Sequence, residues 1–269
     1  MTAATRVALV TGAARGIGAA TVLALADAGW AVLAVDAVAG HPALPYSLST
    51  PADLAAVVGR ANARAGNPDM VRPHVADVRD LAALEAAVAE AETRWGGLDA
   101  AVAAAGVIAG GVPLWEVPVE QERAVLDVDL GGVFALARAA VPALLRRPEP
   151  RAGRFLAVAS AAATQGLPML AAYCAAKAGV TGLIRALAAE LGSTGVTANA
   201  VSPGSTDTSI LAESARLYGL PDAAAFAAQQ SMARLLDPAE VAAVLAFLAG
   251  AGSSGMTGAV VPVDGGLSL

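Results

Sequence analysis

The sequence predicts an α/β fold: a single Rossmann-like, doubly wound domain (residues 1–269) with about seven parallel strands and helices on both faces of the sheet. Short apolar runs of strand length alternate with alanine- and leucine-rich stretches of helical period. Strands that are apolar on both faces and separated by helices are typical of a parallel sheet covered on both sides. Right-handed crossovers then give a Rossmann-like strand order, with ligand sites at the carboxyl ends of the strands.

The elements follow in order from these two periodicities. Strands are expected at residues 6–10, 31–35, 71–75, 100–104, 154–159, 196–201 and 259–263. Helices are expected around residues 16–28, 80–94, 119–146, 170–192 and 238–250.

Two connections are longer than the rest. Residues 37–70 hold a proline-rich loop and then a helix start, with Thr50 as the N-cap and Pro51 in the first turn. We interpret this stretch as an insertion near the end of the second strand. Residues 205–236 lie between the sixth strand and the last helix, and we expect them to form a partly helical substrate lid.

Composition and charge exclude several classes of function. The net charge is −6 and the calculated pI is about 4.9, which argues against nucleic acid or an anionic membrane as a partner. The single cysteine, Cys174, permits no internal disulfide, and two histidines are too few for a zinc site, so we expect no metal. A strand begins almost at once, and apolar runs are broken by Gly, Pro or charge. We therefore expect a cytoplasmic protein without a membrane span.

A glycine-rich turn follows the first strand. Residues 11–18 read Thr-Gly-Ala-Ala-Arg-Gly-Ile-Gly and lead directly into a helix. Glycines at such a turn let the backbone approach a pyrophosphate, and the helix N-terminus points its amides at the phosphates. The alternative is a tight turn with no ligand. The candidate phosphate-binding residues are Gly12, Arg15, Gly16, Ile17 and Gly18.

Asp36 ends the second strand, where a carboxylate can accept hydrogen bonds from the ribose hydroxyls of adenosine. It would also repel a 2′-phosphate, which favours NAD over NADP. Arg15 lies nearby and argues for NADP, but we give Asp36 the greater weight. Asp36 could instead be a solvated loop carboxylate. Asp77, after the third strand, is expected either at the adenine edge or as the N-cap of helix 80–94.

Ser160, Tyr173 and Lys177 carry the strongest chemical signal. Tyr173 and Lys177 are four residues apart on a helical pattern and share one face, and Ser160 follows the fifth strand. A free tyrosine has a pKa of about 10. A neighbouring lysine, together with the positive charge of a nicotinamide, favours the phenolate and makes Tyr173 a usable acid/base. Ser160 would then hydrogen-bond the substrate oxygen.

With these residues the chain resembles the short-chain dehydrogenase/reductase family over essentially its whole length. The glycine turn, Ser160/Tyr173/Lys177, Asn199 and the closing Val-Asp-Gly-Gly at 263–266 fall in the family's order. The resemblance implies an alcohol–carbonyl oxidoreductase in which Lys177 also holds the nicotinamide ribose. It implies that Ser205, Thr206 and Thr208 bind the carboxamide. The other nucleotide-binding residues expected from it are Val78, Ala105, Gly106, Pro203 and Gly204.

Two positions depart from the family's pattern. Ala103-Ala104-Ala105-Gly106 stands where the family usually has Asn-Asn-Ala-Gly, so the amide that braces neighbouring strands is missing. Asp129 replaces the asparagine that is the family's fourth catalytic residue. That asparagine acts partly through its main-chain carbonyl, which holds a relay water near the lysine, and aspartate retains this carbonyl. A carboxylate at this position would additionally stabilise the charged lysine. Our hypothesis is that Asp129 preserves this relay, so that Asp129→Asn stays active.

The 37–70 segment, with Pro-Tyr-Ser-Leu-Ser-Thr-Pro-Ala-Asp-Leu at 45–54, resembles the insertion of the mycofactocin-associated branch of this family. That branch holds NAD tightly and passes electrons to mycofactocin, an external acceptor, instead of exchanging NAD. The alternatives for the segment are an ordinary surface elaboration and a subunit contact.

The substrate mouth is expected to be apolar, which suits a hydrophobic secondary alcohol or its ketone. The alternatives for the whole chain are an ordinary reductase with exchangeable NAD(P)H, for instance one acting on a 3-oxoacyl thioester, and an inactive NAD-binding sensor or scaffold. The resemblance also implies a homotetramer. The expected mouth residues, most of which could equally belong to ordinary core or lid packing, are Val107, Ile108, Trp115, Leu167, Pro168, Met169, Leu170, Leu211, Leu217, Tyr218 and Phe226.

Overall fold

A computed structural model describes residues 5–269. Its centre is one sheet of seven parallel strands, as the sequence predicts. The strands are β1 Val7–Thr11, β2 Ala31–Asp36, β3 Val71–Val75, β4 Ala100–Ala103, β5 Arg154–Val158, β6 Thr197–Pro203 and β7 Val260–Val263. They lie in the order β3-β2-β1-β4-β5-β6-β7. The order reverses direction between β1 and β4, so the carboxyl ends of these two strands flank a crevice, the usual ligand site of such a sheet.

Helices cover both faces of the sheet. They are α1 Gly16–Asp27, α2 Pro51–Ala65, α3 Leu81–Trp95, α4 Val119–Leu126, α5 Gly132–Arg146, α6 Ala171–Leu191, α7 Ser209–Leu217 and α8 Pro238–Ala249. Most boundaries lie within one or two residues of those expected. Helices α1, α2 and α8 pack together on one face, and α3, α4, α5 and α6 pack on the other.

The strand residues divide between two hydrophobic cores, one on each face. In β1, Val7 and Leu9 join the core under α3, α5 and α6, while Ala8 and Val10 join the core under α1, α2 and α8. Successive side chains of a strand point to opposite faces, so a sheet covered twice needs apolar residues at consecutive positions. This requirement explains the continuous apolar runs in the sequence.

Helix 119–146 is continuous, as expected, but contains a wider turn. Between α4 and α5, residues Asp127–Gly131 form one π-helical turn. Such turns are rare and occur frequently at functional sites. Within residues 5–269, the stretch Val119–Arg146 alone has the length and apolar composition to cross a membrane, and half of its most apolar part is buried inside the protein. We interpret it as a core helix.

The two long connections have the local structure expected. Thr50 caps α2: its hydroxyl accepts the Asp53 amide, and the Asp53 carboxylate accepts the Thr50 amide in return. Before this cap, residues 37–50 form a loop that we call the insertion loop. The 205–236 segment is partly helical, with α7 followed by a short 3₁₀ stretch at Ala223–Gln229.

Candidate active site

A cavity of about 590 Å³ opens at the carboxyl ends of the strands. It is bordered by the glycine turn, the ends of β2 to β6, the start of α6, the insertion loop and the 205–236 segment. The structure brings every expected nucleotide-binding residue to its wall. These are Gly12, Arg15, Gly16, Ile17, Gly18, Asp36, Asp77, Val78, Ala105, Gly106, Tyr173, Lys177, Pro203, Gly204, Ser205, Thr206 and Thr208.

The glycine turn is too tightly packed for side chains. Gly12 has φ +65°, and a Cβ placed on it would lie 2.7 Å from the Ala105 Cα. A Cβ on Gly18 would lie 2.0 Å from the Gly12 carbonyl oxygen. Across the cavity, a Cβ on Gly16 would meet the Thr208 side chain at 3.2 Å. The turn therefore presents bare backbone and the first amides of α1 to the cavity, which fits the pyrophosphate of a dinucleotide.

Asp36 is fixed by three hydrogen bonds. One carboxylate oxygen accepts the Ala14 amide at 3.0 Å, and the other accepts the Val38 amide at 3.0 Å and the Ser49 hydroxyl at 2.5 Å. Asp36 is thus a buried part of the cavity wall, not a solvated loop carboxylate. Its negative charge at the end of β2 fits a ribose with free hydroxyls better than one carrying a 2′-phosphate.

Arg15 faces the insertion loop. Its guanidinium donates to Asp53 at 2.7 and 3.1 Å and to the Ser47 carbonyl at 3.4 Å. The positive charge that argued for NADP is therefore already paired with a carboxylate.

Asp77 lines the cavity but does not cap α3. That cap is Asp80, whose side chain accepts the Ala83 amide at 3.1 Å, so the alternative of an Asp77 cap is wrong. Asp77 instead binds Arg79, and hydrogen bonds from Arg79 lower the pKa of the Asp77 carboxyl. Arg79 in turn contacts a ring nitrogen of His41 at 2.8 Å, which ties the insertion loop to the end of β3.

The insertion loop crosses to the other side of the crevice. The Tyr46 hydroxyl accepts the amide of Ile108, which follows β4, at 2.9 Å. Burial raises the pKa of Tyr46, which keeps its phenol neutral. Tyr46 was not among the expected site residues, although it is an aromatic residue inside the 37–70 segment. Residues of the loop that line the cavity are Ala37, Ala39, Gly40, His41, Tyr46, Leu48 and Ser49.

Ser160, Tyr173 and Lys177 meet at the cavity wall. Ser160 lies just beyond β5, with its hydroxyl oxygen accepting the Ala162 amide at 3.1 Å. The Lys177 ammonium nitrogen is 5.5 Å from the centre of the Tyr173 ring and donates to the Val158 carbonyl at 3.2 Å. The juxtaposition expected from the sequence is therefore present.

The electrostatics of Tyr173 differ from the sequence expectation in one respect. Burial raises the pKa of Tyr173 and outweighs Lys177, which lowers it as expected. Asp129 raises the Tyr173 pKa further, whereas the hydrogen bond from Ser160 lowers it. The protein groups alone thus hold Tyr173 as a neutral phenol.

Asp129 lies behind Lys177 and outside the cavity lining. The π-helical turn brings its side chain inward with no solvent exposure. One carboxylate oxygen accepts the Val107 amide at 2.8 Å, and the other lies 3.2 Å from the Lys177 nitrogen. The sequence hypothesis gave this position a role through its main chain and expected its carboxylate to stabilise the charged lysine; the structure shows the two side chains in direct contact.

The missing asparagine at Ala103 is compensated by Thr11. The Thr11 hydroxyl oxygen accepts the amides of Ala104 and Ala105 at 3.2 and 3.4 Å and donates to the Val102 carbonyl at 3.4 Å. It braces β4 against β1, and Ala103 packs into the core.

The substrate end of the cavity is apolar, but three expected residues do not line it. Trp115 lies in a short 3₁₀ turn beyond the site, with 83% of its surface exposed. Leu217 packs against Gly111, and Met169 contributes its carbonyl to the Gly111 amide. The expected residues that do line the cavity are Val107, Ile108, Leu167, Pro168, Leu170, Leu211, Tyr218 and Phe226; Gln165, Gln229 and Leu267 were not expected.

Comparison with known proteins agrees with this arrangement. The family model described as "Enoyl-(Acyl carrier protein) reductase" matches residues 12–268. The chain is 39% identical over 266 residues to cis-4-hydroxycyclohexanecarboxylate dehydrogenase of Sinomonas cyclohexanicum, covering 98% of this chain and 96% of that protein. It is 35% identical to D-threitol dehydrogenase of Mycolicibacterium smegmatis, over 98% and 93% of the two chains.

A solved structure is similar over almost the whole chain. Carveol dehydrogenase from Mycobacterium avium, in complex with NAD, superimposes with a TM-score of 0.91 at 32% identity and covers 98% of both chains. Together with the glycine turn and the Ser160/Tyr173/Lys177 cluster at one cavity, these similarities show that the chain belongs to the short-chain dehydrogenase/reductase family of oxidoreductases.

Proposed function

We propose that this protein is an NAD-dependent dehydrogenase that interconverts a hydrophobic secondary alcohol and its ketone. The observation that carries the proposal is the Ser160/Tyr173/Lys177 cluster facing a cavity that is apolar at one end and glycine-lined at the other. The three relatives compared above are all named as dehydrogenases.

In this proposal each residue of the cluster has a defined role. Ser160 hydrogen-bonds the alcohol oxygen, and Tyr173 accepts the hydroxyl proton as general base. Bound NAD would supply the acceptor for the hydride that leaves the carbinol carbon. Lys177 holds the nicotinamide ribose and favours the phenolate form of Tyr173. Because the protein groups alone hold Tyr173 neutral, the positive nicotinamide ring is needed to complete its activation.

Tyr173→Phe tests the assignment of the base. We expect a loss of at least about a thousandfold in alcohol oxidation, within the range that general acid–base groups contribute. The bound nucleotide and the thermal midpoint should stay near those of the parent, since the ring is retained. A Tyr173→Phe enzyme with more than about a tenth of the parent rate would exclude Tyr173 as the base.

We further propose that NAD is held without exchange and that mycofactocin reoxidises it. Support comes from the insertion loop, which is anchored at Asp36 through Ser49, at Arg79 through His41 and at Ile108 through Tyr46. These contacts lie on both sides of the crevice, so release of a nucleotide beneath the loop requires several of them to break together. Val38, at the start of the loop, has φ +45°, a strained value for a β-branched residue that such anchoring must maintain.

The nucleotide released on denaturing the purified protein tests retention and identity together. We expect about one NAD per chain by mass spectrometry, little turnover with added NAD, and clear turnover with an artificial electron acceptor. Brisk steady-state turnover with free NAD would contradict retention. Release of NADP, with reduction of a 3-oxoacyl thioester, would instead identify an ordinary reductase with exchangeable cofactor.

The organisation of the protein is also proposed. We infer that residues 1–269 act as one domain, with 37–70 as the nucleotide-side insertion and 205–236 as the substrate lid. We infer a cytoplasmic homotetramer, supported by half-exposed apolar side chains such as Phe134 on α5. Light scattering coupled to gel filtration tests the assembly, and a monomeric mass would contradict it.

A further inference from the structure

Lys177 has an unusual neighbour for a lysine that activates a tyrosine. Its ammonium nitrogen lies 3.2 Å from a carboxylate oxygen of Asp129, and both side chains are almost completely buried. A Cβ on Gly106 would meet that same carboxylate oxygen at 3.3 Å and the ammonium nitrogen at 3.6 Å, so the pair lies directly beneath the backbone that follows β4. The carboxylate therefore has no access to solvent through which its charge could be screened.

We propose that Asp129 is a positioning residue: its carboxylate holds the Lys177 ammonium group in a buried ion pair and, by offsetting the lysine charge, sets the pH at which Tyr173 releases its proton. The inference rests on the proposed role of Tyr173 as base and goes beyond it. This role requires the carboxylate charge, so an asparagine side chain could not perform it. A role played only through the main chain of residue 129 would not depend on that charge.

Opposing effects act on the Asp129 carboxyl. Burial is the largest and raises the pKa of Asp129 above its usual value; the Lys177 ammonium, and then the Val107 amide, reduce this rise because each stabilises the anion. Burial likewise lowers the pKa of Lys177, whereas Asp129 and Tyr173 raise it above its usual value. The mutual attraction of such a pair offsets part of the cost of burying its two charges, and removal of one partner leaves the other charge buried without a counter-charge.

The charges around Tyr173 come from few elements. Lys177 and Cys174 lie on α6 with it, and Asp129 reaches it from the π-helical turn. Tyr46 of the insertion loop is coupled to the same group, because Asp129 and Tyr173 both raise its pKa. Glu213 of α7 also raises the pKa of Tyr46. Replacing Asp129 with a neutral residue removes one negative charge from this group. The charge of the Lys177 ammonium then acts on Tyr173 unopposed, so Tyr173 releases its proton at lower pH.

The chain offers a matched control in Asp99. One Asp99 oxygen accepts the Val7 amide at 2.8 Å and the other is 2.9 Å from Arg147 Nε, so Asp99 also accepts one amide and pairs with one cation. Asp99 directly precedes β4 and therefore lies at the amino ends of the strands, whereas the cavity lies at their carboxyl ends. Asp99→Asn breaks a comparable ion pair without changing the charge near Tyr173.

The test is a pH titration of Tyr173 in the NAD-bound protein by carbon NMR with labelled tyrosine Cζ. The chain has only three tyrosines, and Tyr173→Phe assigns the relevant signal. In Asp129→Asn, whose amide oxygen can still accept the Val107 amide, we expect the Tyr173 midpoint to fall by about one pH unit or more. Asp129→Ser serves as a second neutral variant should the first not fold. Asp99→Asn should leave the midpoint unchanged.

In Asp129→Asn, the apparent pKa of the acid limb in the pH profile of kcat/KM should fall as well. This profile is measured with cyclohexanol as substrate and a phenazine as electron acceptor. Three results would overturn the inference. The Tyr173 midpoint could be the same in the parent and in the neutral variants, it could be higher in the variants, or it could lie above pH 11 in all of these proteins. The NMR midpoint does not depend on turnover. A parent protein that oxidises no alcohol would therefore refute the proposed function without deciding the ion-pair inference.

Discussion

The Tyr46 hydroxyl accepts the Ile108 amide at 2.9 Å, although the two residues are 62 positions apart in the chain. Tyr46 belongs to the insertion loop that leaves β2, and Ile108 follows β4 on the far side of the crevice. The neighbouring amide, that of Val107, is held by Asp129. Two successive amides of the substrate wall are therefore fixed from two different elements.

Tyr46→Phe should accelerate the loss of bound NAD by about fivefold, since one net hydrogen bond contributes about 1 kcal/mol and about 1.4 kcal/mol corresponds to tenfold. The ring stays in place, so packing is preserved. The rate is measurable by dilution of NAD-loaded protein into an NAD-trapping enzyme. Ser47→Ala, at an exposed neighbour whose carbonyl rather than hydroxyl contacts Arg15, is the control and should release NAD at the parent rate. Equal rates of NAD release from Tyr46→Phe and from the parent would contradict the proposal that the insertion loop retains the nucleotide.

Gly12→Ala should abolish nucleotide retention and lower the thermal midpoint. The added Cβ would collide with the backbone of Ala105 at 2.7 Å, in addition to the strain of φ +65°. Gly29→Ala separates the two effects, because Gly29 has φ +79° but nothing within 4 Å of its added Cβ. We expect Gly29→Ala to lose stability only and to keep its NAD, as measured by absorbance and calorimetry. Full NAD content in Gly12→Ala would show that the close approach is dispensable.

Asp53 should stabilise the protein at neutral pH and lose this effect in acid. Hydrogen bonds from Thr50, and then from Arg15, lower the pKa of Asp53 from 3.8 to about 2. A carboxyl with a lowered folded-state pKa stabilises the fold above its unfolded pKa, and the contribution disappears as pH falls through the folded value. Asp53→Asn should therefore lower Tm by a few degrees at pH 7, and the difference from the parent should shrink between pH 4 and pH 2.

Asp27→Asn is the control for this titration. Asp27 pairs with Arg64 at 3.2 Å, but both side chains are about half exposed, and such surface pairs contribute little. A constant Tm difference for Asp53→Asn from pH 7 to pH 2 would mean that its effect does not arise from the carboxylate charge.

Neutral alcohols should be preferred over their carboxylate analogues. Among residues 5–269, the lysines and arginines that line the cavity are Arg15, Arg79 and Lys177; the two arginines are paired with Asp53 and Asp77, and the lysine with Asp129. A substrate carboxylate in the apolar end would be desolvated without a partner. We expect kcat/KM for 4-methylcyclohexanol to exceed that for 4-hydroxycyclohexanecarboxylate by about tenfold or more. The reverse preference would indicate an anion partner that the cavity wall does not show.

The fold and the catalytic cluster could be predicted because their signals are local. Apolar runs fix the strands, and a parallel sheet brings their carboxyl ends together, so Ser160 after β5 and Tyr173 on α6 had to meet near the glycine turn. Tyr46 could not be placed in this way, because its partner is set by the path of a loop without regular structure. Asp77 and Asp80 show a different limit: both precede α3, and the sequence cannot say which one turns back to cap it. Trp115 was wrongly assigned to the mouth because an aromatic residue near an active site can equally well face solvent.

An anchored insertion loop also has a kinetic consequence. If NAD is retained as proposed, the alcohol must reduce the bound NAD and leave as ketone before the electron acceptor enters and reoxidises the cofactor. The alcohol and the acceptor then react with the same bound NAD, one after the other. Initial rates measured at several acceptor concentrations should therefore give parallel double-reciprocal lines, the signature of a ping-pong sequence.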